Sequence, residues 1–560
     1  MIERRCAIFL TPLLTLAVAL AGSAGSAGTT VPSAMGATTP HAATASTSMI
    51  DHLDFGSFGG GSNPQVNYNP YSPNVLTPGY TFEPLYIINT YNCSPTPWLA
   101  TAYRWANPRT LVYTIRSGVK WNDGRAFGPA DVVFTYNLLK RQPALDLYGV
   151  WQALASVSSS GSTVTMTFKA PAANMFQRVN NVLIVPQHVW GSVSDPVKYT
   201  NTGAVGTGPF KPTSFNGQEL VLSRNASYWQ AGKVRVAQLI FHNNQGGGQV
   251  DQLNLATGKY DTNAMFVPNI QQVYISKDPQ HNHYWFPAGG SIALGFNLTK
   301  APFNDPKFRQ AVAYAIDRQS ISNKAEYGYV ATASQTGLTL PRQKDWLAPG
   351  ISNQGMVPYD ATQAANLLAK AGYKKSNGKL LGKNGKPIEF TFLVQNGYTD
   401  WIQASQIVQQ NLQALGMTVN VQTPSPDQVA AQTSVGNFDL AIAVHGGSCS
   451  MYDNYHDMFY SKASAPIGQK AISNFIRWTD PNTDRLIDQL QQTTDVSSQK
   501  RAVYGLQKIL INEFPTIPLW YGAVWFEYST KHATGWPNER NPYAGPGDPL
   551  LIITHLQPAQ

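Results

Sequence analysis

Strand-like and helix-like segments alternate along roughly 500 of the 560 residues, and this order restricts the chain to a mixed α/β fold. Apolar and polar side chains alternate at 111–116 and 163–168, which predicts strands. The clearest helix begins after Asp305, a capping residue, with Pro306 at its first position. The remaining predicted elements are helices that begin at Pro129, Asp360 and Asp400 or lie around 483–493 and 498–513, and strands at 219–223, 417–421 and 518–526.

The N-terminus has the pattern of a secretory signal peptide. Arg4 and Arg5 form a short basic segment, an apolar run covers 7–20, and Ala19-Leu20-Ala21 is a small-x-small cleavage site. The apolar run is too short for a membrane span and ends in small residues. We therefore predict a signal peptide over 1–21 and an exported mature protein, with a retained anchor helix as the alternative.

Residues 22–48 consist almost wholly of Ala, Gly, Ser, Thr and Pro, which cannot build a core. This composition predicts a flexible tether, either a spacer or a remnant without a role. Cys6 lies too early to carry a lipid at the cleavage site, so no lipoprotein anchor is predicted. The expected location is periplasmic or extracellular.

The charge pattern gives no sign of a nucleic-acid partner. The net charge is +9, and only 13% of the residues are charged, which excludes disorder driven by charge. The positive residues are scattered, and their densest group, at 374–386, lies in a Gly- and Asn-rich stretch. We interpret that group as a solvated loop rather than a binding patch.

The cysteines and the one close histidine pair leave few options for a metal. Cys93 and Cys449 remain after export and form either one disulfide or two buried free thiols, of which free thiols are favoured. His281-x-His283 is interpreted as structural, because no other metal-ligand spacing accompanies it. No metal and no cofactor are therefore predicted.

Sequence motifs of enzymes are absent. The chain has no G-x-S-x-G elbow, no H-E-x-x-H and no P-loop, and the stretch 206–208 (GTG) runs into Pro209 rather than into a helix. With 31 acidic residues, no carboxylate pair can be singled out for glycoside hydrolysis. No catalytic residue is assigned, and the chain is not expected to be an enzyme.

A series of ordered motifs extends from residue 99 to residue 519. They are Leu99-Ala100 with Trp105, 114–124 (TIRSGVKWNDG), 130–135 (ADVVFT), 206–210 (GTGPF), 222–229 (LSRNASYW), 301–318 (APFNDPKFRQAVAYAIDR) and 515–519 (PTIPL). This order resembles the extracellular solute-binding proteins of ABC importers, and specifically their large peptide-binding class, family 5. The resemblance spans about residue 50 to the C-terminus.

The resemblance implies a two-lobed periplasmic-binding-protein fold of the α/β class (type II, cluster C-like) with a hinge. A discontinuous first lobe would comprise 50–95, 203–283 and 522–560, an inserted small domain 96–202, and the second lobe 284–521. The solute would lie between the lobes, and the closed form would dock on permease subunits in the membrane. A monomeric receptor is implied, with the motifs serving as fold markers rather than ligand contacts.

The resemblance also indicates where a peptide would be anchored. Peptide binders of this class hold the peptide amino terminus with an acidic residue in a loop that corresponds to 445–454, since a buried ammonium needs such a partner. Ser448 or Cys449 stands at that place here, and Met451-Tyr452 replaces Asp-Pro. Ser448, Cys449 and Asn454 are therefore candidate ligand contacts, and Asp453 could substitute for the acid if the loop shifts.

Other stretches resemble the subgroup of this class that binds β-linked oligosaccharides such as cellobiose. They are 397–401 (GYTDW) and the C-terminal 525–530, 535–537 and 541–544. Sugars suit flat aromatic faces, and Trp401 and Trp520 are the candidate stacking residues. Core packing is the competing interpretation; it is favoured for an average Trp of this chain but not for Trp401.

The expected function is that of a solute receptor for an ABC importer, with an oligosaccharide ligand ahead of an oligopeptide. A secreted hydrolase is the alternative from another functional class. Saturable binding without product formation distinguishes the receptor from the hydrolase.

Overall fold

The computed structural model describes residues 48–56, 65–72, 76, 79–243 and 248–560. The predicted signal peptide and nearly all of the predicted tether lie outside these residues. Within the described part, no helix combines the length and the apolar character that a membrane crossing requires.

Short strands and helices follow one another in mixed order. The strands are β1 (Ile50–Phe55), β2 (Tyr86–Ile88), β3 (Pro95–Pro97), β4 (Ala100–Asn107), β5 (Thr110–Ile115), β6 (Leu154–Ser160), β7 (Thr163–Phe168), β8 (Phe210–Phe215), β9 (Glu219–Arg224), β10 (Val236–His242), β11 (Thr262–Asn263), β12 (Asn282–Tyr284), β13 (Ala288–Phe296), β14 (Lys374–Ser376), β15 (Lys379–Leu381), β16 (Glu389–Leu393), β17 (Thr418–Gln422), β18 (Leu440–His445), β19 (Thr516–Ala523), β20 (Glu527–Ser529), β21 (Ala533–Thr534) and β22 (Gln557–Pro558). The α-helices are α1 (Pro129–Arg141), α2 (Val150–Ala153), α3 (Met175–Asn180), α4 (Gln187–Trp190), α5 (Gly248–Ala256), α6 (Ile270–Val273), α7 (Pro306–Ala315), α8 (Arg318–Lys324), α9 (Ala361–Lys370), α10 (Thr399–Ala414), α11 (Pro426–Ser434), α12 (Met451–Phe459), α13 (Pro481–Gln492), α14 (Val496–Glu513) and α15 (Pro549–Ile553).

Three larger sheets organise these elements. One has the strand order β12-β20-β11-β1-β10-β9-β8, a second is β4-β5-β7-β6, and a third is β17-β16-β18-β13-β19. The four-stranded sheet is antiparallel throughout. Its strands lie in the chain between β1 and β8 of the seven-stranded sheet, so it is an insertion into the part of the chain that builds that sheet.

Buried apolar side chains divide the protein into two lobes. One core, which we call the first lobe, combines residues from 50–241 with the C-terminal 526–556. Two further cores combine residues from 292–525 and form the second lobe, and a smaller cluster covers 255–274. The lobe boundaries implied by the resemblance stay predictions.

Two neighbouring segments connect the lobes and form a hinge. The chain passes between the cores at 284–288 and again at 523–526. The Trp285 N–H donates to the Phe526 carbonyl at 2.9 Å, and the Val524 N–H donates to the Pro287 carbonyl at 2.8 Å. The two crossings therefore run side by side as a hydrogen-bonded pair.

The helix predicted after Asp305 is confirmed, and the helix predicted from Asp400 also forms but begins one residue earlier. The Asp305 carboxylate accepts the Lys307 N–H, and Pro306 begins α7. By contrast, α10 begins at Thr399, and Asp400 lies inside its first turn, where its side chain is only 2% exposed. Burial raises the pKa of Glu326, and the neighbouring Asp400 carboxyl raises it further, so Asp400 belongs to a buried carboxyl pair rather than to a helix cap.

Two of the sequence motifs meet at one buried carboxyl group in the first lobe, that of Glu83. Its oxygens accept hydrogen bonds from the Trp98 Nε1–H at 2.5 Å, the Tyr228 hydroxyl at 2.8 Å and the Trp229 Nε1–H at 3.2 Å. Burial raises the pKa of Glu83 to about 7, although these hydrogen bonds act in the opposite direction. The motifs around Trp98 and 222–229 therefore specify the packing of the first lobe.

The motif 301–318 has the same kind of role in the second lobe. The buried Arg309 donates to the backbone carbonyls of Phe303 and Phe514, at 2.7 and 2.9 Å. The buried Arg318 donates to the Pro518 carbonyl at 2.8 Å. The two guanidinium groups thus tie α7 to the residues just before β19 and α8 to β19 itself.

Candidate functional site

A cavity of about 1050 Å³ lies between the lobes, beside the hinge. We call it the interlobe cavity. The first lobe contributes Tyr91 and Glu539, the second lobe Arg342, and the hinge residues 284–288. Its aromatic lining residues are Tyr91, Tyr284, Trp285, Phe286, Tyr327 and Tyr329.

The aromatic rings of this cavity support one another. Tyr91 and Trp285 have ring centroids 5.1 Å apart, and Tyr327 and Tyr329 are stacked at 6.0 Å. The Tyr329 hydroxyl also accepts a hydrogen bond from the Ile270 N–H at 3.3 Å, which joins the second lobe to α6. Five of the six rings named are half-buried and Trp285 is buried, and neighbouring rings and backbone groups set their orientation.

The two charged residues at the cavity have different surroundings. The Arg342 Nη1–H donates to the Thr90 carbonyl at 2.8 Å, and the Nη2–H donates to the Gly447 carbonyl at 2.7 Å. Burial lowers the pKa of Arg342. Among the described residues, no carboxylate lies within ion-pair distance of this guanidinium, whereas the Glu539 side chain is exposed at the cavity mouth.

The loop at 445–454, where a peptide anchor was expected, is occupied by internal contacts. The Ser448 N–H donates to Asn454 Oδ1 at 2.7 Å, and the buried Asn454 donates to Gln343 Oε1 at 3.1 Å. Asp453, the acid in this loop, forms an ion pair with Arg178 at 2.6 Å. Its carboxylate is therefore engaged with the inserted sheet region and is not free to hold an ammonium group.

Cys93 and Cys449 form a disulfide, so the expectation of free thiols is wrong. Cys93 lies in the turn between β2 and β3, and Cys449 lies in the loop between β18 and α12. The fold brings these two segments face to face, with the two Cα atoms 5.2 Å apart. This Cα–Cα distance lies in the range that a disulfide requires. The pairing could not be predicted from the sequence, because the two cysteines are 356 residues apart.

The predicted tryptophans lie away from the interlobe cavity. Trp520 is 1% exposed, pairs with Ile292 across β19 and β13, and belongs to the core of the second lobe. Trp401 lies half-buried in the first turn of α10, with its ring 4.8 Å from that of Tyr398. Neither ring lines the cavity in this conformation.

The predicted site residues at 448–454 cluster in the structure, whereas the predicted tryptophans do not join them. Ser448, Cys449 and Asn454 do lie together at the seam between the lobes. The cavity residues at 284–286 and 327–329 were missed, although both are short aromatic runs (YWF and YGY). The available signal was their position: the first run lies at the predicted start of the second lobe, and the second run follows the end of a helix.

Replacing Trp401 with alanine is expected to lower the free energy of unfolding by about 1–2 kcal/mol, because a half-buried ring is lost. Solute affinity should stay unchanged, since Trp401 does not line the interlobe cavity. Denaturant midpoints and calorimetric titration check both parts. A loss of binding on the order of 2 kcal/mol with intact stability would instead restore Trp401 as a sugar-stacking residue.

The family comparison places the chain among transport receptors. The family model described as bacterial extracellular solute-binding proteins, family 5, matches residues 94–466. The oligopeptide-binding protein AppA of Bacillus subtilis is 24% identical, with 73% of this chain and 74% of AppA covered. The peptidoglycan-binding protein YepA of Agrobacterium fabrum is also 24% identical, with 76% and 77% covered.

Solved structures share the two-lobed fold. The periplasmic oligopeptide-binding protein of an ABC transporter from Thermotoga maritima superimposes with a TM-score of 0.83 at 26% identity, over 91% of this chain and 99% of that one. A second structure of that protein, with mannohexaose bound, gives a TM-score of 0.75 over the same shares. AppA of Bacillus subtilis with a bound nonapeptide gives 0.69 at 20% identity, over 92% and 100%.

Proposed function

Because this chain belongs to the family 5 bacterial extracellular solute-binding proteins, and is thus the extracytoplasmic solute receptor of an ABC importer, we propose that its solute is an oligosaccharide held in the interlobe cavity. We propose further that the protein binds and releases this solute without changing it chemically. The proposal concerns the ligand and the site; the class of receptor follows from the family.

The observation that carries the proposal is the aromatic lining of the interlobe cavity. Its volume of about 1050 Å³ is at the upper end for ligand pockets, which suits an extended solute of several units. Among the described residues that line it, six are aromatic and two are charged. Flat rings with hydroxyl groups at their edges can stack on sugar rings and hydrogen-bond their hydroxyls.

The anchor loop gives independent support. A peptide amino terminus needs an acidic partner when it is buried, and the acid of this loop, Asp453, is already paired with Arg178. Cys449 is also unavailable, because it forms a disulfide. A similar protein, at 26% identity, has been solved with mannohexaose, so this fold admits an oligosaccharide.

An oligopeptide is the second candidate, and Glu539 is the feature that favours it. Its exposed carboxylate lines the cavity and could pair with an ammonium group, while Arg342 could pair with a carboxylate at the other end of a peptide. Several relatives also carry peptide-binding names, among them AppA. The two candidates differ in which side chains they need.

Mannohexaose is expected to raise the melting temperature, whereas a nonapeptide is not. A ligand that binds only the folded protein adds roughly 2.7 kcal/mol at a hundredfold excess over Kd. A thermal-shift panel of mannohexaose, cellohexaose and a mixed nonapeptide tests this, with mass spectrometry of each sugar after prolonged incubation to detect products. Stabilisation by the nonapeptide alone overturns the oligosaccharide proposal. Sugar fragments released during the incubation show that the protein is a hydrolase and not a receptor.

Matched variants connect the ligand to the cavity. Tyr327→Ala should weaken mannohexaose binding by on the order of 2 kcal/mol, since a stacking face is lost. Glu539→Gln should leave the affinity for mannohexaose nearly unchanged, but it should weaken the binding of a peptide. Tyr359→Ala, which removes an exposed tyrosine elsewhere on the second lobe, is the control for a general effect of losing a ring.

A further inference from the structure

The disulfide between Cys93 and Cys449 joins the two lobes covalently. Cys93 follows β2, whose Tyr86 belongs to the core of the first lobe. Cys449 precedes α12, whose Met451 belongs to a core of the second lobe. The bond thus spans the boundary across which the lobes of a solute receptor move.

Each half of this bond is fixed within its own lobe. In the first lobe, the Asn89 side chain donates to the Tyr543 carbonyl at 2.7 Å, and the Thr90 N–H donates to Asp548 at 2.9 Å. In the second lobe, Gln343 donates to the Ser448 carbonyl at 2.9 Å. Neither segment is a loose loop that could follow the opposite lobe when the lobes separate.

Weaker contacts accompany the disulfide along the same seam. Arg342 bridges the Thr90 and Gly447 carbonyls, at 2.8 and 2.7 Å. The Arg178–Asp453 ion pair joins α3 to α12 at 2.6 Å. These contacts can break and form again within each binding cycle, whereas the covalent bond stays intact unless a chemical step breaks it.

Solute exchange requires the lobes to separate, and the disulfide limits this separation. The Cα atoms of a disulfide rarely lie more than about 7 Å apart, so the two segments must stay together while the bond exists. The hinge, formed by 284–288 and 523–526, and the disulfide together leave only those rotations that keep both connections intact. Reduction removes one of the two constraints.

We propose that the Cys93–Cys449 disulfide is a redox latch that restricts opening of the interlobe cleft. Both cysteines are partly exposed, so an extracytoplasmic dithiol reductant can reach the bond. A thiolate of that dithiol attacks one sulfur and releases the other as a thiolate, which takes up a proton. The second thiol of the reductant then attacks the mixed disulfide and releases the other cysteine as a thiol. The receptor thus gains two thiols, and the reductant becomes a disulfide.

The consequence is a receptor with two exchange regimes. The oxidised form opens through a restricted range and exchanges solute slowly, and the reduced form opens further and exchanges it faster. The latch acts on lobe movement and is therefore independent of whether the solute is a sugar or a peptide. Its test can use the solute-free protein.

Hydrogen exchange of the full-length mature protein, with and without dithiothreitol, tests the latch. Reduction should speed amide exchange at 89–94 and 446–452 by roughly tenfold or more, because these segments lose their covalent partner. Exchange in the strands β10 and β19, inside the two cores, should not change. Small-angle scattering of the same samples should show a larger radius of gyration after reduction.

The double variant Cys93→Ser with Cys449→Ser is the matched control. It should behave like the reduced wild type and should not respond to dithiothreitol. Unchanged exchange at the seam and an unchanged radius after complete reduction overturn the latch. Equal acceleration in the seam and in both cores also overturns it, since the bond would then stabilise the whole fold rather than control opening. The reduction experiment decides the question even if the variant fails to fold.

Discussion

Replacing Glu83 with alanine is expected to lower the free energy of unfolding of the first lobe by about 3–5 kcal/mol. The substitution removes the acceptor for the indole N–H groups of Trp98 and Trp229 and for the Tyr228 hydroxyl. A buried donor left without an acceptor costs roughly 1–3 kcal/mol. Denaturant unfolding monitored by tryptophan fluorescence measures the loss, because two of the affected residues are tryptophans.

The matched control is Glu83→Gln, which keeps a carbonyl acceptor of similar size. It should lose much less stability than Glu83→Ala. Equal losses in the two variants would show that shape, rather than hydrogen bonding, determines the role of Glu83.

The same carboxyl group should make stability depend on pH. Its pKa is raised from the usual 4.5 to about 7 in the folded protein, so the folded state holds this proton more tightly than the unfolded state. The resulting stabilisation is fully present below about pH 4.5 and is lost as the pH rises through 7, by about 3 kcal/mol in all. Comparing unfolding of the wild type and Glu83→Gln from pH 4.5 to 8 isolates this contribution, which should be missing from the variant.

Replacing Trp520 with alanine is the second change for which we expect a large effect. Trp520 is 1% exposed in the core of the second lobe, next to Ile292 on β13. Truncating a buried Trp leaves a cavity and typically costs about 3–5 kcal/mol. The affinity for solute, measured by calorimetry at a temperature where the variant is folded, should remain close to that of the wild type.

Trp520→Phe is the appropriate control, because it keeps an aromatic ring and loses less volume. It should recover part of the lost stability. If Trp520→Ala weakened binding strongly while Trp520→Phe restored it at equal stability, Trp520 would be a ligand contact, and the closed core seen here would have to open to expose it.

Local patterns in the sequence determined much of the fold. Asp305 and Pro306 specify a helix start because capping and the fixed φ of proline depend on neighbouring residues alone. The segment at 163–168, in which apolar and polar residues alternate, is a strand with the same bounds in the structure. This alternation places the apolar side chains on one face of the strand, which is the face that the sheet buries. The ordered motifs identified the family, and residues within or beside some of them hold packing contacts of the fold, such as the donors around Glu83.

Only the tertiary structure decided which distant residues meet. Cys93 and Cys449 pair across 356 residues, and nothing local to either cysteine encodes that contact. Asp400 resembles a helix cap in sequence, yet it is buried beside Glu326, because a carboxyl group capable of capping can equally be used in tertiary contacts. The interlobe cavity likewise arises where the hinge residues 284–286 approach 327–329, and that approach depends on how the two lobes pack.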